Sequence, residues 1–120
     1  MRSLYIAILI SLYGITLSAQ DNLSGIWNTG NQNTVVKIEK YNDYFIGKII
    51  STSNEKAKPG TLIMKDVTLK KGKWIGKMYA PKRDEWYDAE IIPANNKLTI
   101  TVTVGFFSKT IEWIRRTQSQ

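Results

Sequence analysis

Between Ser24 and Arg115 the apolar residues fall at strand spacing rather than helical spacing, and each run stops at a turn signal. The cleanest example is Lys97 to Val104, where Leu98, Ile100, Val102 and Val104 alternate with Thr99, Thr101 and Thr103. Val36 and Ile38 alternate with Lys37 and Glu39, Tyr41-Asn42-Asp43 supplies a turn, and Tyr44 to Ile50 is rich in β-branched and aromatic residues, which predicts a hairpin. Ser51 to Gly60 is a polar loop that closes on the breaker pair Pro59-Gly60. Leu62 to Leu69 is apolar at mixed spacing and reads either as a strand or as a short helical turn. Lys70-Lys71-Gly72-Lys73 turns into Trp74 to Tyr79, Pro81-Lys82-Arg83-Asp84 into Glu85 to Ile92, and Pro93-Ala94-Asn95-Asn96 into Lys97. Gly105 to Ser108 leads into a last strand, Lys109 to Arg115.

About eight short strands in sequence-local hairpins predict an all-β fold, a small antiparallel up-and-down β-barrel. Its interior should be lined by Val36, Ile38, Ile49, Trp74, Leu98, Ile100 and Val102. Eight strands leave room for side chains or for one small ligand, and four Trp in so short a chain favour a filled barrel. Phe106 and Phe107 are adjacent in the last link, so strand alternation cannot turn both inward. One of them is expected to plug the barrel mouth. Gly47 and Gly76, inside strands, are expected to mark bulges or close packing.

The first residues follow a different pattern. Arg2 precedes an almost uninterrupted apolar stretch of 14 residues, Leu4 to Leu17, and Leu17-Ser18-Ala19 then offers a small residue before Gln20. This predicts a secretory signal peptide over residues 1–19, because a membrane span needs about 20 apolar residues. The remaining domain, residues 20–120, is then expected to be exported to the periplasm or beyond, with no membrane span, and to be a monomer. Losing Arg2 takes the formal charge from +7 to +6.

Composition narrows the chemistry. The chain of 120 residues contains no Cys and no His. Thiolate nucleophiles, disulfides, Cys- or His-based metal sites and Ser-His-Asp triads are therefore excluded. No cofactor or metal is expected.

Gly25-Ile26-Trp27 opens the first strand and Trp113-Ile114-Arg115-Arg116 closes the last. A Gly-x-Trp on the first strand with an Arg near the end of the last resembles the lipocalin-like (calycin) barrels, where Trp packs across the barrel base under a cation of the closing strand. That resemblance implies barrel closure by Gly25, Trp27, Trp113 and Arg115. In order along the chain, Val35-Val36-Lys37-Ile38-Glu39, Ile46-Gly47-Lys48-Ile49, Trp74-Ile75-Gly76-Lys77-Met78-Tyr79-Ala80-Pro81, Tyr87-Asp88-Ala89-Glu90 and Glu112-Trp113-Ile114-Arg115 are similar to the bacterial domain of unknown function 2147. Members of that family are small exported proteins without an assigned biochemical role. The resemblance implies a fold and a compartment, and it carries over no catalytic residue.

Three local patterns suggest chemistry. On a strand from Glu85, Trp86, Asp88 and Glu90 share one face and Tyr87, Ala89 and Ile91 the other. Two carboxylates beside a ring could serve glycan hydrolysis, whereas a solvated face with cross-strand Lys partners explains them as well and is the reading adopted. Ser53-Asn54-Glu55-Lys56 matches Ser-x-x-Lys by chance, since it lies in a polar loop without companion motifs. Basic residues interleaved with rings, Trp74, Tyr79, Lys82, Arg83, Trp86 and Tyr87, form the candidate ligand-binding set. Export argues against nucleic acid as the partner and in favour of an anionic envelope component, with a small apolar ligand left to the barrel interior, while a solvated, solubility-giving surface explains the same basic residues and is the leading reading. The function expected is thus a non-enzymatic exported barrel that binds a small or polymeric envelope ligand, the alternatives being a structural or protein-interaction module and a carboxylate hydrolase built on Asp88 and Glu90.

Overall fold

The computed structural model describes residues 23–116. The apolar amino-terminal segment and its expected cleavage point lie outside the described residues. Eight antiparallel strands follow one another: β1 (Gly25–Asn28), β2 (Val35–Tyr41), β3 (Tyr44–Ser51), β4 (Leu62–Lys70), β5 (Lys73–Ala80), β6 (Glu85–Ala94), β7 (Lys97–Val104) and β8 (Phe107–Arg115). Each pairs with the next, and β1 returns to β8, so the sheet closes into an up-and-down barrel. Leu62 to Leu69, ambiguous in sequence, is strand β4.

Period-two alternation sets the inside and the outside of the barrel. Val36 and Ile38 of β2, Phe45 and Ile49 of β3, Ala89 and Ile91 of β6, and Leu98 and Ile100 of β7 are buried, while Lys37, Glu39, Lys48 and Asp88 between them are exposed. Trp74 and Val102 are half-buried against the same core. Trp27, Met64, Val67 and Trp113 complete the filling, and among the described residues no polar or charged side chain is buried. The seven residues expected inside therefore do take the inward positions, and all but Ile49 belong to or pack against one core cluster.

Two glycines allow this density. A Cβ on Gly76 would come within 2.6 Å of Val67 Cγ2 and 2.9 Å of the Lys65 carbonyl, and one on Gly47 would lie 3.0 Å from Met64 Cβ. The register shifts on both sides of Gly47 and between Lys65 and Thr68, so bulges and close packing coincide here. The β4–β5 hairpin turns on Lys71 and Gly72, both at positive φ, the sign pattern of a type I′ turn.

One expectation fails. Phe106 and Phe107 do not plug the barrel, being 109% and 63% exposed. The β7–β8 ladder runs out to Val104↔Phe107, with only Gly105 and Phe106 in the turn. Phe106 thus lies at the hairpin tip, and Phe107 stands at the rim above the last core layer. Strand β8 also begins two residues before the expected Lys109.

Closure is narrow. Strand β1 meets β8 only at Trp27↔Arg115 and Asn28↔Ile114, whereas β7 and β8 share eight pairs. A backbone bond from Arg116 N to Ile26 O, 2.8 Å, extends the seam by one step.

Candidate functional site

The seam is reinforced by side chains. Arg115 lies over the Trp27 ring, 4.3 Å from its centroid, and its Nη1 donates to the Ser24 carbonyl at 2.8 Å. Trp27 Nε1 donates to the Leu23 carbonyl at 3.1 Å, which folds the chain ahead of β1 across the barrel base. A guanidinium over an indole contributes about 0.5–2 kcal/mol. Gly25 has φ 140, and a Cβ there would stand 2.5 Å from Arg115 Nη1. Gly25, Trp27 and Arg115 therefore touch one another, while Trp113 is buried beside Leu98 one layer inward. This end of the barrel is occupied by structure.

The candidate ligand-binding residues divide into separate places. Tyr79 and Trp86 are cross-strand partners on the outer face, with ring centroids 5.3 Å apart, and Lys65 Nζ caps Trp86 at 4.3 Å from its centroid. Tyr79 donates to Asp84 Oδ1 at 2.5 Å. Tyr87 takes the opposite face, opposite Met78, and donates to Glu85 Oε2 at 2.8 Å. Lys82 and Arg83 are exposed in the β5–β6 turn. Trp74 is five positions from Tyr79, about 17 Å along the strand at about 3.4 Å per residue. It makes a T-shaped contact with Phe45, 5.5 Å between centroids, and lines a recess of about 340 Å³ with Leu69 and Lys40 at the base end. Tyr79 and Trp86 thus form a small outer platform that Trp74 does not join.

A larger concavity, about 910 Å³, runs over the outer faces from β3 to β8. Its hydroxyl donors are Tyr44, Thr68, Thr101, Thr103 and Ser108, Ile75 is its apolar patch, and Lys70, Lys77, Asp66, Asp88 and Glu90 are its charges. Lys77 Nζ bonds Asp88 Oδ1 at 2.7 Å, and Lys73 lies 3.7 Å from Glu90. The hydrogen bond to Asp88 and the charge of Asp88, aided by Asp66 and only partly offset by desolvation, hold the Lys77 ammonium above its usual range. The hydrogen bond to Asp84, then desolvation and the Asp84 charge, raise the Tyr79 phenol likewise. Cross-strand lysines thus face both Asp88 and Glu90, and the Asp88 side chain is 78% exposed. Among the described residues no group of three His, Cys, Asp or Glu could hold a metal ion.

Two threonines of this groove, Thr101 and Thr103, were visible only as the polar half of β7. What joins them is the register: Thr101 pairs with Thr110, their Oγ1 atoms 3.3 Å apart, and Thr103 pairs with Ser108. Tyr44, Asp66 and Thr68 come from strands distant in sequence and carry no local motif.

The family model described as an uncharacterized protein conserved in bacteria (DUF2147) matches residues 25–115, from the first strand to the last. Neither a curated protein nor a solved structure matches the chain.

Proposed function

The chain belongs to this bacterial family, DUF2147, and from that premise we propose that it is an exported, non-enzymatic barrel whose outer groove holds a hydroxylated polymer of the cell envelope, a glycan strand. The observation that carries this reading is the contrast between a filled axis and an open outer concavity of about 910 Å³. Ligand sites commonly have volumes of about 300–1,000 Å³. A small apolar ligand in the axis would have to displace Ile38, Leu98 and Ile100, each at most 1% exposed. The groove asks nothing of the core.

Its lining favours sugar hydroxyls. Threonine and serine side chains both donate and accept, and Tyr44 adds a ring with a polar tip. Lys70 and Lys77 are balanced by Asp66, Asp88 and Glu90, so the groove suits a polymer of low charge better than a polyanion. The apolar segment at Leu4 to Leu17 supports export. Exposure and Lys pairing of Asp88 and Glu90 support binding without hydrolysis.

Retention of the processed protein on purified peptidoglycan sacculi tests the reading. Thr101→Val and Thr103→Val keep the strand shape and remove two hydroxyls, at about 0.5–1.5 kcal/mol for each lost hydrogen bond. Retention should therefore weaken by several-fold or more. A wild-type protein that washes off the sacculi, or a double variant retained as tightly as wild type, would sink the proposal.

A further inference from the structure

Most exposed apolar side chains of the barrel, such as Ile26, Ile92 and Ile114, stand singly on strand faces, which is ordinary for a folded surface. Phe106 and Phe107 are different. They are adjacent, they occupy the tip and rim of the β7–β8 hairpin, and Phe106 is fully in solvent. Because β1 covers β8 only from Ile114 onward, this hairpin projects past the seam. The core gains nothing from either ring.

Alternating strand direction places the β1–β2, β3–β4 and β5–β6 connections at the same end of the barrel as this tip. The Ser53 N to Gln32 O bond, 3.0 Å, ties the first two connections together. Lys56 and Lys58 belong to the β3–β4 loop, Lys82 and Arg83 to the β5–β6 turn, and Lys109 follows the rings on β8. The carboxylates at this end are Glu55, Asp84 and Glu85. Asp84 and Glu85 accept hydrogen bonds from Tyr79 and Tyr87. Two projecting rings ringed by a cationic surplus match a bilayer surface with anionic headgroups, where aromatic side chains settle at the headgroup boundary and lysines find phosphate.

We propose that this end of the barrel docks on an anionic membrane surface, with Phe106 and Phe107 entering the interface and the surrounding lysines and arginine facing the headgroups. The barrel stays in water and does not span the bilayer. Thr103 and Ser108 bring one end of the outer groove next to this tip.

Cosedimentation of the processed protein with vesicles of phosphatidylcholine, alone or mixed with phosphatidylglycerol, tests the proposal. The wild-type protein should pellet with the mixed vesicles, less with phosphatidylcholine alone, and less again as salt is raised. Phe106→Ser with Phe107→Ser should lower the partition coefficient about tenfold, since at least one buried ring is lost. Lys82→Glu with Arg83→Glu should remove much of the preference for phosphatidylglycerol. All four side chains lie outside the core, so circular dichroism should show both variants folded. A wild-type protein that stays in the supernatant with the mixed vesicles would overturn the proposal. So would a phenylalanine variant that pellets as wild type does, or a lipid-free wild-type dimer, by analytical ultracentrifugation, that the serine substitutions dissociate.

Discussion

Gly25 shows how one missing Cβ holds the first and last strands of the barrel together. Its Cβ would occupy the place of Arg115 Nη1, which bonds the Ser24 carbonyl while its guanidinium covers Trp27. Gly25→Ala should displace the guanidinium and cost about 1–3 kcal/mol in urea unfolding, part of it from backbone strain at φ 140. In an Arg115→Ala background the same substitution should cost measurably less, because the clash has been removed; strict additivity would disprove the coupling. Lys77 and Tyr79 make a second residue-level case. Their folded-state pKa values lie above the ordinary 10.5 and 10.0, so the folded protein binds these protons more tightly than the unfolded chain does. Their contribution is complete below about pH 10 and is lost as pH rises through the folded values. Thermal unfolding should show an alkaline decline in stability that Lys77→Gln makes shallower, and an unchanged profile would remove Lys77 from the account. The expectation that Trp27 pairs with Arg115 rests on the resemblance of Gly25-Ile26-Trp27 and Trp113-Ile114-Arg115 to the closing strands of lipocalin-like barrels. The Lys77 and Asp88 pairing was not legible in the sequence, since it depends on register.

At the scale of the element, β4 explains why its sequence read ambiguously. Met64 and Val67 are both buried although they lie three positions apart, a spacing that suits a helix face. A bulge produces it: the register slips between Lys65 and Thr68, and Asp66 takes φ 56 so that the strand regains its inward side at Val67. Asp66→Gly should leave stability unchanged or raise it slightly, whereas Asp66→Val, β-branched in a left-handed conformation, should cost about 1–2 kcal/mol. Equal denaturation midpoints for the two variants would show that the bulge bears no such constraint. β7 is the opposite case, since strict alternation made its core face legible without any structure. Its tip misled because a two-residue turn carries the ladder beyond the core, leaving Phe107 at strand parity with nothing to pack on.

For the whole molecule, the outward half of the alternation matters as much as the inward half. The ion pairs Lys37–Glu39, Lys73–Glu90, Lys77–Asp88 and Lys97–Glu112 all lie on the exposed exterior, where such pairs contribute about 0–1 kcal/mol each. Stability therefore rests on the filled axis, and the surface charges are left to set what the barrel meets. The groove escaped sequence reading because six strands contribute to it, each with one to three unremarkable polar residues. The narrow seam has a further consequence for life at high concentration. Ahead of Ile114, β8 has no strand partner on the β1 side among the described residues, and a row of backbone donors and acceptors is a template on which a second chain can add a strand. Lys109 sits in that row on the barrel-side face opposite Val102, and an inward-pointing charge is costly to enclose between paired sheets. Lys109→Val should leave the monomer folded and shorten the lag before light scattering rises in a concentrated solution. If the lag is unchanged, something other than this lysine keeps copies of the barrel apart.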